Sequence, residues 1–272
     1  MGRVRRSRWR LVLRSVALLG ALAVTGTAYL AFLPRPQFAD ADAEAATKQE
    51  TGAELFTTSC ASCHGTNLQG VPDRGPSLAG VGDAAVYFQV STGRMPLARS
   101  SDHGHRQAPE AQFDPQTEQG RRNLVALGAY VSSRTGGGPS LPPGDDADLV
   151  GSDVASGGEL FRLNCSTCHN FTGRGGVLPS GIFPPNLHEA TPSQAYAAML
   201  SGPSSMPAFS ESQLTPAEKR DIIAYILSVR GQNNAPGGYN IGEFGPSTEG
   251  VVAFVVGMAA LIGIAAYLGA RS

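Results

Sequence analysis

Four cysteines occur in this chain of 272 residues, and all four fall in two copies of one short pattern. The first copy is Cys60-Ala-Ser-Cys63-His64, and the second is Cys165-Ser-Thr-Cys168-His169, 105 positions later. Two thiols at this spacing add across the two vinyl groups of one porphyrin. The adjacent imidazole is then held under the iron as an axial ligand. C-x-x-C-H is accordingly the attachment pattern of a c-type haem. A C-x-x-C pair also suits half of a zinc site or a redox-active dithiol. Neither explains a histidine directly after both pairs, or the matching flanks. The motifs predict two covalent haem c groups, one on Cys60 and Cys63 and one on Cys165 and Cys168. His64 and His169 are the proximal iron ligands, and no cysteine is left for a disulfide.

Each iron then needs a second axial ligand or an open position. Met95 lies in Gly93-Arg94-Met95-Pro96 and Met206 in Ser204-Ser205-Met206-Pro207, 31 and 37 residues after their histidines. A proline after methionine restrains it to an extended, loop-like backbone, a suitable way to present a thioether. Of the five methionines, Met1 is the initiator, Met199 falls in an expected helix and Met258 in an apolar run, so the last two read as packing residues. His/Met ligation favours electron transfer over ligand chemistry. The competing histidines are weaker candidates. His103 and His105 sit in a polar insertion, Ala98–Phe113, that the second copy lacks. His188 follows Pro184-Pro185-Asn186-Leu187, which parallels Gly75-Pro76-Ser77-Leu78, but the position after Leu78 is Ala79. Those proline-containing loops read as the wall behind each haem and its histidine.

These residues need helices to place them. Gly52, Phe56 and Cys60 recur at i, i+4 and i+8, one face of a helix, and Gly157, Phe161 and Cys165 repeat the set. Glycine and an aromatic on that face suit close crossing by a second helix. For the first copy the partner is Gly120–Arg134, with Asp114-Pro115 as its start. For the second, Thr215-Pro216-Ala217-Glu218 is a capping box opening a helix with Ile222, Ile223, Tyr225, Ile226 and Val229. Thr191-Pro192-Ser193-Gln194 opens a shorter one. The order of helix, C-x-x-C-H, proline loop, short helix, Met-Pro and capped final helix occurs twice, which is an internal duplication. Between the copies, Thr135–Ser156 is rich in Gly, Pro and Asp and reads as a linker rather than a packed element.

Composition bounds the partners. The chain holds 34 Gly and 19 Pro with 7% aromatics, which suggests small, loop-rich domains whose cores a covalent haem completes. The net charge of −1 is an average. Residues 1–37 hold seven arginines and no acid, and Arg271 lies at the far end. Of the 21 basic residues these eight are set apart, leaving 13 against 22 acidic ones, about −9. Nucleic acid binding is disfavoured for that central part.

Both ends address a membrane. Leu11–Leu33 is a largely apolar run behind the arginine-rich residues 1–10. A span takes about 20 apolar residues, and the basic flank puts the amino terminus in the cytoplasm. A retained anchor is favoured over a cleaved signal, whose apolar region is usually about 7–15 residues. Small-residue triplets at 21–23 and 39–41 keep cleavage open. Val251–Leu268 is a second apolar run with Arg271 beyond it, and its Ala253/Gly257 and Ala259/Gly263 pairs suit helix packing in lipid. The expected order is a basic segment 1–10, span 11–33, tether 34–44, first domain 45–135, linker 136–151, second domain 152–232, Gly-rich linker 233–250, span 251–268 and tail 269–272. The Gly-rich stretch is either a free linker or a strip laid along a partner. This makes a two-span protein of the cell membrane, with both domains on the extracytoplasmic side.

On these residues the chain resembles a known family. Each half, by its C-x-x-C-H and Met-Pro loop, is similar to a class I cytochrome c domain. The whole, with an anchor at each end, resembles the dihaem cytochrome c subunit of the actinobacterial cytochrome bcc complex, a menaquinol–cytochrome c reductase. The resemblance implies a mainly α fold of two tandem class I cytochrome c-like domains with an N-terminal and a C-terminal transmembrane helix. It also implies a cytochrome b subunit, a Rieske iron–sulfur subunit and an aa3-type oxidase as partners. Electrons would run from the Rieske centre through two haems to the oxidase, so the chain is an enzyme subunit and not a catalyst alone; no catalytic residue is expected in it. The alternatives are a dihaem subunit of a cbb3-type oxidase or membrane dehydrogenase, and a sensor with an open haem site.

Overall fold

The computed structural model of the protein describes residues 14–27, 29, 37–97, 104–178, 181, 183–230, 241 and 246–271, with backbone alone at 37–43, 246 and 247. Its elements are helical: α1 (Arg14–Thr27), then α2 (Gln37–Ser59), α3 (Ala61–His64), α4 (Asp83–Ser91), α5 (Glu118–Thr135), α6 (Val154–Asn164), α7 (Ser166–His169), α8 (Pro192–Ser201), α9 (Pro216–Ser228) and α10 (Pro246–Gly269). Single 3-10 turns sit at Ala111–Phe113 and Leu187–Glu189. The chain divides into two units, 1–47 and 48–272.

In the first unit, α1 is apolar but shorter than the about 20 residues a span needs. Most of the remainder of the expected N-terminal span, at 11–13, 28 and 30–33, lies outside the described residues. α2 begins at Gln37, so helix starts inside the stretch expected to be a tether. In the second unit, α10 is long and apolar enough to cross a membrane, and its side chains are exposed from Gly250 to Ala270. Met258, expected to pack, is exposed among them. Of the Gly-rich stretch before α10, only Ile241 and the start of α10 are described.

Two lobes form the rest. In the first, the glycine face of α2 crosses α5 so closely that a Cβ on Gly52 would lie 2.2 Å from the Ala126 carbonyl oxygen. Phe56 is fully buried and meets the Tyr130 ring at 5.6 Å. The second lobe repeats this with α6 on α9. A Cβ on Gly157 would lie 1.9 Å from the Asp221 carbonyl oxygen, and Phe161 meets Tyr225 at 5.2 Å. Any side chain at these two glycines would push the helices apart. Burying each phenylalanine contributes about 1.5–3 kcal/mol.

The helix starts follow the sequence in lobe two and depart from it in lobe one. Thr191 with Gln194, and Thr215 with Glu218, form complete capping boxes, each with proline at the first helical position. Asp114-Pro115 does not start α5. Asp114 instead closes a turn, its side chain accepting from Gln116 N at 2.9 Å, and Thr117 caps the helix by accepting from Gly120 N. Asp competes for nearby backbone donors, and here the nearer donor wins.

The segment between the lobes has no helix, and both lobes hold it. Leu141 N donates to the Asp83 carboxylate at 2.7 Å, and Gly151 N donates to Arg220 O at 2.9 Å. Leu149 is 3% exposed within the lobe-two core, and Leu141 packs on both cores. The lobes also meet directly, α4 on α8, with Ala197 of α8 buried in the lobe-one core.

Candidate haem sites

Each C-x-x-C-H is a single helical turn laid at the end of its crossing helix. Cys60 N and Cys165 N still donate to the carbonyls of Phe56 and Phe161, both at 2.8 Å, so the buried phenylalanine and the first thiol are set by the same turn. After His64 the chain turns through Gly65 at φ 75°, and after His169 through Asn170 at φ 62°.

The histidines are oriented identically. His64 Nδ1 lies 2.8 Å from the Pro76 carbonyl oxygen, and His169 Nδ1 lies 3.2 Å from that of Pro185. A carbonyl can only accept, so Nδ1 carries the proton and Nε2 keeps its lone pair for a metal. Burial is the larger influence on His169 and lowers its pKa, with the Pro185 bond opposing. A neutral imidazole is the ligating form. The proline loops expected to back the histidines therefore supply the atoms that aim them.

In lobe one, a cavity of about 650 Å³ is lined by Cys60, Cys63, His64, the 69–77 loop and Met95-Pro96-Leu97. Thiols, imidazole and thioether thus face one space of the size usual for a cofactor. Met95 is presented just beyond α4, its N–H held by Gln89 O at 3.0 Å. Met206 follows α8 in the same way and packs, half-buried, on the lobe-two core that contains Cys165. Lobe two thus brings Met206 to the core that holds the first of its two cysteines. The donor set and the lobe-one cavity fit a covalently held haem.

The first thiol of each pair is not activated. Burial, then Glu110 and Cys63, push Cys60 up to about 11, and burial with Cys168 pushes Cys165 up to about 12. Reactive dithiols depend on a lowered value. Among the described residues no three of His, Cys, Asp and Glu converge as a metal cluster. His105 is exposed. His188 has Nε2 2.7 Å from Thr172 O, a backbone tie and not a free ligand. His103 lies outside the described residues. Met199 is a buried packing residue, as expected.

Sequence reasoning missed Gln194 and Arg106. Gln194 was read only as part of a cap, yet its amide also donates to Ser91 O of lobe one at 3.0 Å. Arg106, in the polar insertion, donates to Glu189 O at 2.7 Å. For Arg106 the signal was the insertion, present in one copy and not the other; nothing in the sequence tied Gln194 to Ser91.

Two helical lobes that each end a crossing helix in C-x-x-C-H make the protein a tandem c-type cytochrome. Residues 49–135 match the family model of cytochrome c, and residues 152–226 match that of cytochrome c oxidase, cbb3-type, subunit III. Across its whole length the chain is 48% identical to the cytochrome bc1 complex cytochrome c subunit of Mycobacterium tuberculosis (strain H37Rv), covering 100% of this chain and 95% of the relative. It is 47% identical to that of Mycobacterium leprae, over 94% and 86% of the two chains, and 43% identical to that of Corynebacterium efficiens, over 98% and 92%. The chain belongs to the family of cytochrome bc1 complex cytochrome c subunits.

Proposed function

We propose that the protein is the dihaem electron-transfer subunit of a quinol–cytochrome c reductase. Cys60 and Cys63 hold one haem c by thioether bonds, and Cys165 and Cys168 hold the other. His64 with Met95, and His169 with Met206, are the axial ligands. The observation that carries this reading is the repeated geometry in which a Pro carbonyl fixes the histidine Nδ1 proton beside each cysteine pair. When bound, each haem supplies a one-electron carrier whose potential His/Met ligation raises. The chain's own part is to fix ring orientation, present a sulfur from a restrained loop and keep water from the iron by packing a helix crossing behind it.

In the complex this subunit sits beside cytochrome b and a Rieske iron–sulfur protein and serves an aa3-type oxidase. Residues 11–33 and 251–268 are its two spans, with both termini cytoplasmic. Domains 45–135 and 152–232 lie outside the membrane, joined by 136–151 and tied to the spans by 34–44 and 233–250. The competing assignment, a cbb3-type oxidase subunit, draws on the match of residues 152–226. That match covers lobe two alone, whereas the relatives named for the bc1 complex align with the chain from end to end.

Purification from native membranes in mild detergent tests the reading. Co-purification with cytochrome b and Rieske proteins, and quinol-driven haem reduction that is lost on Rieske depletion, is the expected result. Reduction unchanged by Rieske depletion, or isolation with a cbb3-type oxidase, overturns it.

A further inference from the structure

Residues 104–113, the described part of the insertion that distinguishes lobe one from lobe two, touch both lobes. On their own lobe they lie on the residues just before Met95. Gln107 N donates to Thr92 O at 3.1 Å. A Cβ on Gly93 would lie 2.4 Å from Gln107 O, and one on Gly104 would lie 3.1 Å from Arg94 O. Only a glycine at 93, with φ 65°, lets the two strands of backbone approach so closely.

On the other lobe the same segment grips the start of α8. Arg106 Nη2 donates to Glu189 O at 2.7 Å and to Gln194 Oε1 at 3.2 Å. Its Nε lies 3.6 Å from the Glu189 carboxylate. Gln194 is 2% exposed. Its Oε1 also accepts from Thr191 N at 3.2 Å, while its Nε2 donates to the Ser91 carbonyl at 3.0 Å and hydroxyl at 3.3 Å. Ser91 is the last residue of α4, four before Met95. The carbonyl it exposes at the helix end would otherwise be an orphan in the interface. The bonds therefore close a ring: the backbone before Met95, residues 104–107, Arg106, Gln194, Ser91 and back to that backbone. α8, which Gln194 caps, leads directly to Met206.

We propose that residues 104–108 are an interlobe clamp in which Arg106, acting through Gln194, holds the two haem lobes at one separation and backs the loop carrying Met95. The clamp rests on the reading that both lobes carry haem. Arg106 is a positioning residue. Electron exchange between two fixed carriers falls steeply with their separation, so a clamp of this kind acts on the rate between the haems. Nη2 serves both acceptors while Nε faces the Glu189 carboxylate, so an ammonium, with its one nitrogen, replaces only part of the contact.

The test uses the full chain in its detergent-solubilised complex, with Arg106→Ala and Arg106→Lys. Haem per chain is counted first after denaturation. Fewer than two haems in the unsubstituted protein would sink the dihaem reading and leave the clamp without its premise. With two haems present, Arg106→Ala is expected to keep both attached, to slow photoinduced electron exchange between them severalfold and to lower the lobe-one potential. Arg106→Lys falls between. Exchange rate and both potentials unchanged in Arg106→Ala, even with a lower melting temperature, would overturn the clamp and leave Arg106 a packing residue. Should Arg106→Ala not accumulate, Arg106→Gln, which keeps one donor, is read by the same rate and potentials.

Discussion

The helices that end in Cys60 and Cys165 cross their partners through the same three positions. Gly52 and Gly157 meet backbone carbonyls, Phe56 and Phe161 meet tyrosines, and both aromatic pairs tilt by 44°. The two histidines are each aimed by a proline carbonyl. Elsewhere the lobes part. α9 starts with a reciprocal capping box, whereas α5 starts with Thr117 alone, because Gly120 at its third position has no side chain to reach back. The turn after the histidine is glycine in one lobe and asparagine in the other. Only lobe one has the insertion. The difference teaches that duplication has kept what aims and attaches a haem, while the parts that join the lobes have diverged.

The sharpest way to separate the lobes is to remove one sulfur at a time. Met95→Ala and Met206→Ala should each leave haem attached, lower one potential and make one of two haems reactive to CO in a reduced-minus-CO difference spectrum. A spectrum unchanged in either variant breaks the ligand assignment for that lobe.

The crossings should be alike in cost. Phe56→Ala and Phe161→Ala are expected to destabilise by about 3–5 kcal/mol in denaturant titrations followed at the haem. Gly157→Ala and Gly52→Ala should cost about 1–3 kcal/mol or more, with Gly157→Ala the worse, since its Cβ would lie nearer a carbonyl. Tolerance of alanine at either position would mean that the helices do not cross there.

The caps should differ. Thr215→Ala is expected to cost about 1 kcal/mol, read from the urea midpoint. Glu218 also gives α9 of lobe two a pH response. Its carboxylate is held below the ordinary 4.5 by the Thr215 N–H and then the Thr215 hydroxyl. A depressed folded-state pKa means that the stabilisation is fully present above the unfolded value. It is lost as pH falls through the lowered one. Acid should therefore loosen α9 below about pH 4.5, and Glu218→Gln should remove that component. The smallest effect is Asn170→Gly. Asn170 holds φ 62° and ψ 155°, a region kept almost wholly for glycine. Removing that strain, less the loss of its bond to Thr172 N, should stabilise lobe two by about 1 kcal/mol.

Much of this was legible in short stretches. The haem attachment pattern, the glycine–phenylalanine faces and the boxes at Thr191 and Thr215 are set by neighbours within a few residues, and spacing alone reports them. The start of α5 was misread because Asp114-Pro115 and Thr117 both offer a cap. Only the folded turn decides which donor lies nearer. The stretch 135–156 read as a linker, and composition says nothing of the contacts it makes. Leu141 and Leu149 find cores that earlier and later segments build.

The sequence by itself determined the chemistry: two cysteine pairs, two adjoining histidines and two Met-Pro loops, duplicated in order. Covalent and helical spacing are local properties, written directly in residue intervals. Tertiary structure alone decided that α4 lies on α8, that Gln194 satisfies Ser91 across the lobes and that Arg106 reaches Glu189. Those partners lie 83 to 103 residues apart in the chain. No interval encodes them, because they depend on how two finished lobes pack.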